Sequence, residues 1–198
     1  MNYRISIITV VLNAKNDLLK TINSIQSQTY KNFEHIIKDG LSNDGTHLLN
    51  FNDYENTYFY KISDIGIYDA MNQGFSYAKG DLIMFLNAGD LLIKNDVLFL
   101  INNRFKENLD ASCLVGYTIQ KEPKRKKNIT LLGYGWPFKF FSLIQFPHPS
   151  FILKKNIAEK IKPLFDTNLK ISADYKQQLI MRKEGLFNPI YGDFIITE

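Results

Sequence analysis

Apolar runs of strand length alternate with helix-patterned stretches through the first half of the chain, and each run delivers a polar residue at its end. Residues 5–12 (ISIITVVL) are rich in β-branched side chains and read as a buried strand. Leu18, Leu19, Ile22 and Ile25 then keep helical spacing, predicting a helix over residues 17–28. Further strands follow at 33–39 (FEHIIKD), 58–63 (YFYKIS) and 82–86 (LIMFL), with Leu48 and Leu49 in a second predicted helix. Ile67, Ala70, Met71, Gly74, Phe75 and Ala78 mark the clearest helical face, with Ser63 or Asp64 as its N-cap and Gly80 as its stop.

Strand and helix in alternation predict an α/β fold with a mostly parallel sheet. Such sheets bind ligands at the carboxyl ends of their strands, where loops lead into helices. Asn13, Asp39, Asp64 and Asp90 occupy those positions after the four strands, and a purely structural sheet has no need of three carboxylates there. After Asp90 the alternation blurs. A helix at 95–106, a strand at 111–119, a short strand at 148–155 and a helix at 172–185 are predicted. The expected organisation is one domain over residues 1–198, with halves 1–92 and 93–198 and no flexible linker.

Several classes are disfavoured. No apolar stretch reaches the ~20 residues of a membrane span. The N-terminus lacks the pattern of a signal peptide, so a cytoplasmic protein is the expectation. The single cysteine, Cys113, excludes an internal disulfide. Neither a P-loop nor a dinucleotide glycine motif occurs, and His35, His47 and His148 lack the spacing of a zinc hydrolase. The net charge of +4 is uneven: Lys121, Lys124, Arg125, Lys126 and Lys127 precede the aromatic stretch GYGWPFKFFSLIQF, which ends at Phe146. The stretch from Lys121 to Phe146 is either a solvated loop or a contact for an anionic membrane surface. Nucleic acid is not expected, because no nucleic-acid motif accompanies the charge.

The loop DGLSNDGT, from Asp39 to Thr46, admits a plain reading as turn and cap, with Ser42 or Asp44 holding free N–H groups. Capping does not require Asp39. Strand, D-G-x-S-x-D-G-T, helix, and a later strand ending in small residues and an acid resemble the nucleotide-sugar half of glycosyltransferase family 2, the inverting GT-A enzymes. The block SDIGIYDAMNQGFSYAKGDLIMFLNAGD, residues 63–90, resembles the bacterial polysaccharide-biosynthesis branch. The resemblance covers nearly the whole chain and is strongest over residues 5–90.

It implies a GT-A fold, with a Rossmann-like sheet flanked by helices and a smaller acceptor-side half. It implies transfer of a sugar, with inversion, from a nucleoside diphosphate sugar, UDP favoured, to a saccharide or polyprenyl-linked acceptor in surface polysaccharide synthesis at the cytoplasmic membrane face. By resemblance, Asp39 reads the nucleotide base, Thr9 and Asn13 line the same pocket, and Asp64, Asn72 and Asn87 belong to the donor site. Tyr68 and Asn72 lie one helical turn apart and share a face. Asp90 and His148 of HPSF are the expected metal ligands, and the implied cation is Mg²⁺ or Mn²⁺, which neutralises the donor's diphosphate. The family often carries several acids here. This chain has Asn87, Ala88 and Gly89 before Asp90, so Asp90 is the single carboxylate.

Displacement at an anomeric carbon needs a base for the acceptor hydroxyl, and the resemblance assigns it to Asp174 in SADY. Helix capping by Ser172 or Asp174 is the alternative. Relatives usually continue past the point where YGDFIITE ends this chain, so a shortened enzyme is an expectation as well. Two rivals stand beside the enzyme: a non-catalytic nucleotide-sugar-binding domain, and a glycoside hydrolase built on two carboxylates.

Overall fold

β1 (Ile5–Val11) runs parallel between β2 (Phe33–Asp39) and β4 (Leu82–Phe85), and every residue of the three is buried. Burial on both faces favours apolar residues, which explains the LIMF run and the largely apolar ISIITVV. The computed structural model describes residues 2–121, 129–132 and 146–198. They form a sheet in the order β3-β2-β1-β4-β7-β5-β6, with an eighth strand paired to β5. β3 (Thr57–Lys61) extends the parallel set.

The α/β architecture with its helix-flanked sheet agrees with the sequence, but the second half is mixed. β7 (Phe151–Lys154) joins β4 antiparallel, and β5 (Cys113–Lys121) joins β7 antiparallel. β6 (Ile129–Leu132) pairs antiparallel with β5, while β8 (Pro189–Thr197) runs parallel to it. The sequence reading did not foresee β6 or β8.

Helices α1 (Lys15–Gln26) and α3 (Val97–Glu107) cover one face of the sheet. α2 (Ile67–Ser76), the short α4 (Lys155–Ala158) and α5 (Ala173–Lys183) cover the other. Gly74 sets the approach of α2, since a Cβ there would stand 2.6 Å from Ile8 Cγ2. The predicted helix around Leu48 is absent. Two single 3₁₀ turns, Thr46–Leu48 and Phe51–Asp53, take its place. Leu48 is exposed, and without a second apolar row there is no face to bury.

β2 is unusual for a strand inside a sheet. Glu34, His35, Lys38 and Asp39 are all buried in it. Glu34 is satisfied by Arg4 at 3.0 Å, Ser6 at 2.6 Å and the Lys79 and Gly80 N–H groups at the start of β4. The other three polar residues lead toward the C-terminal edge of the sheet.

Candidate functional site

Asp39 ends β2 with no exposed surface. Its Oδ2 accepts the Ser42 N–H at 3.0 Å, while Oδ1 is enclosed and has no partner among the described residues. The loop around it is tied down by its own side chains. Ser42 Oγ accepts the Asn13 N–H at 2.8 Å, and Asn13 Oδ1 accepts the Asn43 N–H at 2.8 Å. Asn13 and Leu41 hold left-handed backbone, φ 52° and 68°. Asp44 accepts from Thr46 Oγ1 at 2.6 Å and the Thr46 N–H at 3.0 Å through Oδ1, and from the Lys15 N–H at 2.8 Å through Oδ2. These bonds, the Thr46 hydroxyl foremost, hold its carboxyl below the usual carboxylate range. Turn and cap therefore account for Ser42 and Asp44. They leave one oxygen of Asp39 over.

Thr9 lies behind this edge. It has no exposed surface, and its hydroxyl donates to the Leu86 carbonyl at 2.7 Å. That hydroxyl has one hydrogen, so the 2.9 Å contact with His35 Nε2 must be donated by the ring. His35 Nδ1 is then a bare acceptor in an enclosed site, and burial drives its pKa down to about 3.

Asp64 does not act as an ordinary helix cap. Gly66 occupies the N-cap position of α2, and Asp64 Oδ1 accepts the Gly66 N–H at 3.2 Å. Asp64 Oδ2 takes the ammonium of Lys38, whose side chain is wholly buried. Asp64 borders a cavity of about 300 Å³, with Val11, Leu12, Ile67, Asn87 and Ala88. This hollow lies at the carboxyl ends of β1 and β4, where an α/β sheet is expected to take a ligand.

The turn after β4 is locked to α1 by one hydroxyl. Thr21 Oγ1 contacts the Asp90 carbonyl at 3.0 Å and accepts the Gly89 N–H at 2.9 Å. Asp90 Oδ2 accepts the Asn87 N–H at 3.2 Å. Burial pushes the Asp90 carboxyl up to about 6, against the lowering effect of that bond. Asn87 Oδ1 is enclosed without a partner among the described residues. The turn divides two hollows. Asn87 and Ala88 face the cavity of Asp64, whereas Gly89 and Asp90 face one of about 520 Å³ that also touches Gln120, Pro147 and Glu198.

The second half contributes α5. Its N-cap residue, Ser172, is left-handed at φ 64° and makes no side-chain cap bond, so capping does not explain SADY. Asp174 Oδ1 accepts the Tyr68 hydroxyl at 3.3 Å. Burial, and then the Asp174 charge, raise the Tyr68 pKa. His148 packs against Phe85 and Phe165, with ring centroids at 5.2 and 5.4 Å, and neither ring nitrogen has a partner among the described residues. Burial lowers its pKa to about 4, and the nearby Asp174 charge opposes this.

Asn72 bonds the segment before α5. Its Nδ2 donates to the Phe165 carbonyl at 2.8 Å and its Oδ1 accepts the Phe165 N–H at 3.0 Å. Both ends of the amide are occupied by main chain, so Asn72 anchors the segment before α5. Among the described residues no group of three or more His, Cys, Asp or Glu is placed to hold a metal ion. The local chemistry still suits one. A carboxylate resisted by its own burial and an orphaned amide oxygen, both in the 87–90 turn, would be relieved by a cation whose other ligands are phosphate and water. The basic-aromatic stretch between Lys121 and Phe146 lies for the most part outside the described residues. Among those described, no helix is long and apolar enough to cross a membrane.

Known proteins share this fold. The family model "Glycosyl transferase family 2" matches residues 6–166. An uncharacterised glycosyltransferase of Mycobacterium tuberculosis is 30% identical over 200 residues, covering 98% of this chain and 74% of the relative. Staphylococcus aureus TarS, solved in complex with UDP, superimposes with a TM-score of 0.76 at 16% identity, covering 98% of this chain and 59% of TarS. A mannosyltransferase of Pyrobaculum calidifontis, solved with GDP-Man and Mn²⁺, gives 0.71 at 16% identity over 99% of this chain and 56% of the other. The likeness to these structures is one of fold, the GT-A arrangement.

Proposed function

The chain belongs to glycosyltransferase family 2, and from that membership we propose that it transfers a sugar from a nucleoside diphosphate sugar to a hydroxyl of a saccharide or lipid-linked saccharide, with inversion at the anomeric carbon. The observation that carries this reading is the unpartnered Asp39 Oδ1 at the C-terminal edge of the sheet. A buried acceptor without a donor is costly to keep unless a ligand fills it. The imide N–H of a uracil ring meets that need, which favours UDP as the carrier. TarS solved with UDP-GlcNAc supports a uridine nucleotide, and the mannosyltransferase with GDP-Man is the competing precedent.

In this scheme Asp90 and His148 would hold a Mg²⁺ or Mn²⁺ ion, and Asn87 would flank the diphosphate. Such an ion, when bound, neutralises the leaving nucleoside diphosphate. Asp174 accepts the proton of the acceptor hydroxyl as its oxygen bonds the anomeric carbon and the bond to phosphate breaks. Tyr68 orients Asp174 through the hydroxyl contact described above. The lone acid of the 87–90 turn favours one alternative, a non-catalytic nucleotide-sugar-binding domain of the same fold.

Titration calorimetry with UDP and GDP, each with and without Mn²⁺, tests the donor site. Metal-dependent binding of UDP that weakens in Asp39→Asn is the expected result. Failure of the folded protein to bind either nucleotide would remove the proposal. Asp174→Asn separates the two readings: an enzyme loses turnover by roughly 10²–10⁴-fold while keeping its donor affinity, and a binding domain shows no turnover to lose.

A further inference from the structure

Lys38 occupies a position where an aliphatic residue would continue the pattern. It pairs in register with Val10 on β1 and Tyr60 on β3, and Ile8, Val10 and Ile36 form the apolar core on that side of the sheet. Its side chain is 0% exposed. Taking an ammonium out of water is expensive, and attraction to one carboxylate roughly offsets the cost. Well-packed apolar replacements of such pairs are commonly as stable or more so. Stability therefore gives no reason for a lysine here.

Its partner supplies one. Lys38 Nζ meets Asp64 Oδ2, while Asp64 Oδ1 accepts the Gly66 N–H. Gly40 is the third fixture, because a Cβ there would stand 2.7 Å from Asp64 Oδ2. The carboxylate is thus pinned from the sheet, from α2 and by the bare backbone after Asp39. Only 11% of its side chain stays exposed, and it borders the 300 Å³ cavity. The ammonium is spent on the carboxylate, so the pair offers no net positive charge to a phosphate. A fixed anionic acceptor of this kind suits hydroxyl donors.

We infer that Lys38 is a positioning residue of the donor site, holding the Asp64 carboxylate where it accepts hydrogen bonds from a vicinal hydroxyl pair of the nucleotide sugar. This rests on the donor-site reading above. The hydroxyls belong either to the ribose or to the transferred hexose, and the two sources are separable. Equilibrium binding to the full chain is measured for UDP, its 2′,3′-dideoxy analogue and UDP-glucose, with the guanosine series in parallel.

In the wild type, a ribose contact makes the dideoxy analogue at least about tenfold weaker than its parent, and a hexose contact makes the sugar nucleotide tighter than the diphosphate by a similar factor. Lys38→Met reduces whichever discrimination is present to about twofold or less, and Lys38→Arg restores most of it. Asp64→Asn, which keeps the shape of the side chain, produces the same loss with Lys38 intact and stands in should Lys38→Met not fold. The inference is overturned if a folded Lys38→Met retains the wild-type discrimination, or if both variants weaken every ligand by one common factor. It is also overturned if the wild type discriminates on neither arm. A wild type that binds none of these nucleotides refutes the donor-site reading itself, and this inference falls with it.

Discussion

The Tyr68 hydroxyl donates to Asp174 Oδ1 at 3.3 Å across a sequence separation of 106 residues. It joins the helix of the first half that borders the Asp64 cavity to the helix of the second half that carries the proposed base. One long hydrogen bond to a carboxylate is worth less than a short one, so its removal should be felt but not be fatal. Tyr68→Phe is expected to lower kcat by about tenfold and leave nucleotide affinity unchanged. Steady-state kinetics beside calorimetry check this, and an unchanged kcat would separate Tyr68 from the chemistry.

Asp90 is the one carboxylate of the 87–90 turn, so metal dependence should rest on it. Asp90→Ala is expected to abolish the Mn²⁺-dependent tightening of nucleotide binding, a loss of at least about tenfold. Binding without metal should change little. Titrations at fixed nucleotide and rising Mn²⁺ measure it, and full retention of the metal effect would assign the cation to other ligands.

His35 predicts a pH dependence of stability. Its folded pKa, about 3, lies below the ordinary 6.5 because the charged ring would be buried. For a base with a depressed folded pKa, the unfolded chain takes up the proton first. The stabilising contribution is therefore full above about pH 6.5 and is lost as pH falls toward about 3. By pH 5 the loss should reach up to about 2 kcal/mol. His35→Gln keeps a donor for Thr9 but cannot titrate, so its unfolding free energy should vary less between pH 7 and 5. Denaturant melts at several pH values compare the two slopes.

Asn72 should behave as a structural clamp. Asn72→Leu removes both bonds to Phe165 and strands the Phe165 N–H and carbonyl, at a cost of about 2 kcal/mol. The Tm is expected to fall by roughly 4–8 °C. Nucleotide affinity measured well below the Tm should stay within about twofold of wild type. A stable variant with weakened donor binding would return Asn72 to the cleft.

Much of the first half was legible in its residues because parallel strands and their helices are local patterns. The apolar runs of β1 and β4 and the helical spacing of α2 follow from burial on two faces and on one, and neither depends on distant partners. The same holds for Asp39, Asp64 and Asp90, whose places at strand ends follow from counting along the chain. Leu48 and Leu49 misled because two adjacent leucines mark a helix only when further apolar residues repeat at its period.

The polar interior of β2 was not legible. FEHIIKD reads as a strand whether Glu34, His35 and Lys38 face water or core, and the answer depends on Arg4, Thr9 and Asp64, each from 26 to 30 residues away. The bonds of Thr9 and Asn72 were hidden for the same reason: a residue type shows what it can bond, not which bonds are already made. β8 escaped notice because PIYGDFIIT acquires its role only by lying along β5. Local periodicity alone thus determined an α/β chain with acids at its strand tips. Tertiary structure decided which of those polar groups are satisfied, because a hydrogen bond is filled by whatever the fold brings within about 3 Å, and that closeness is written in no single segment.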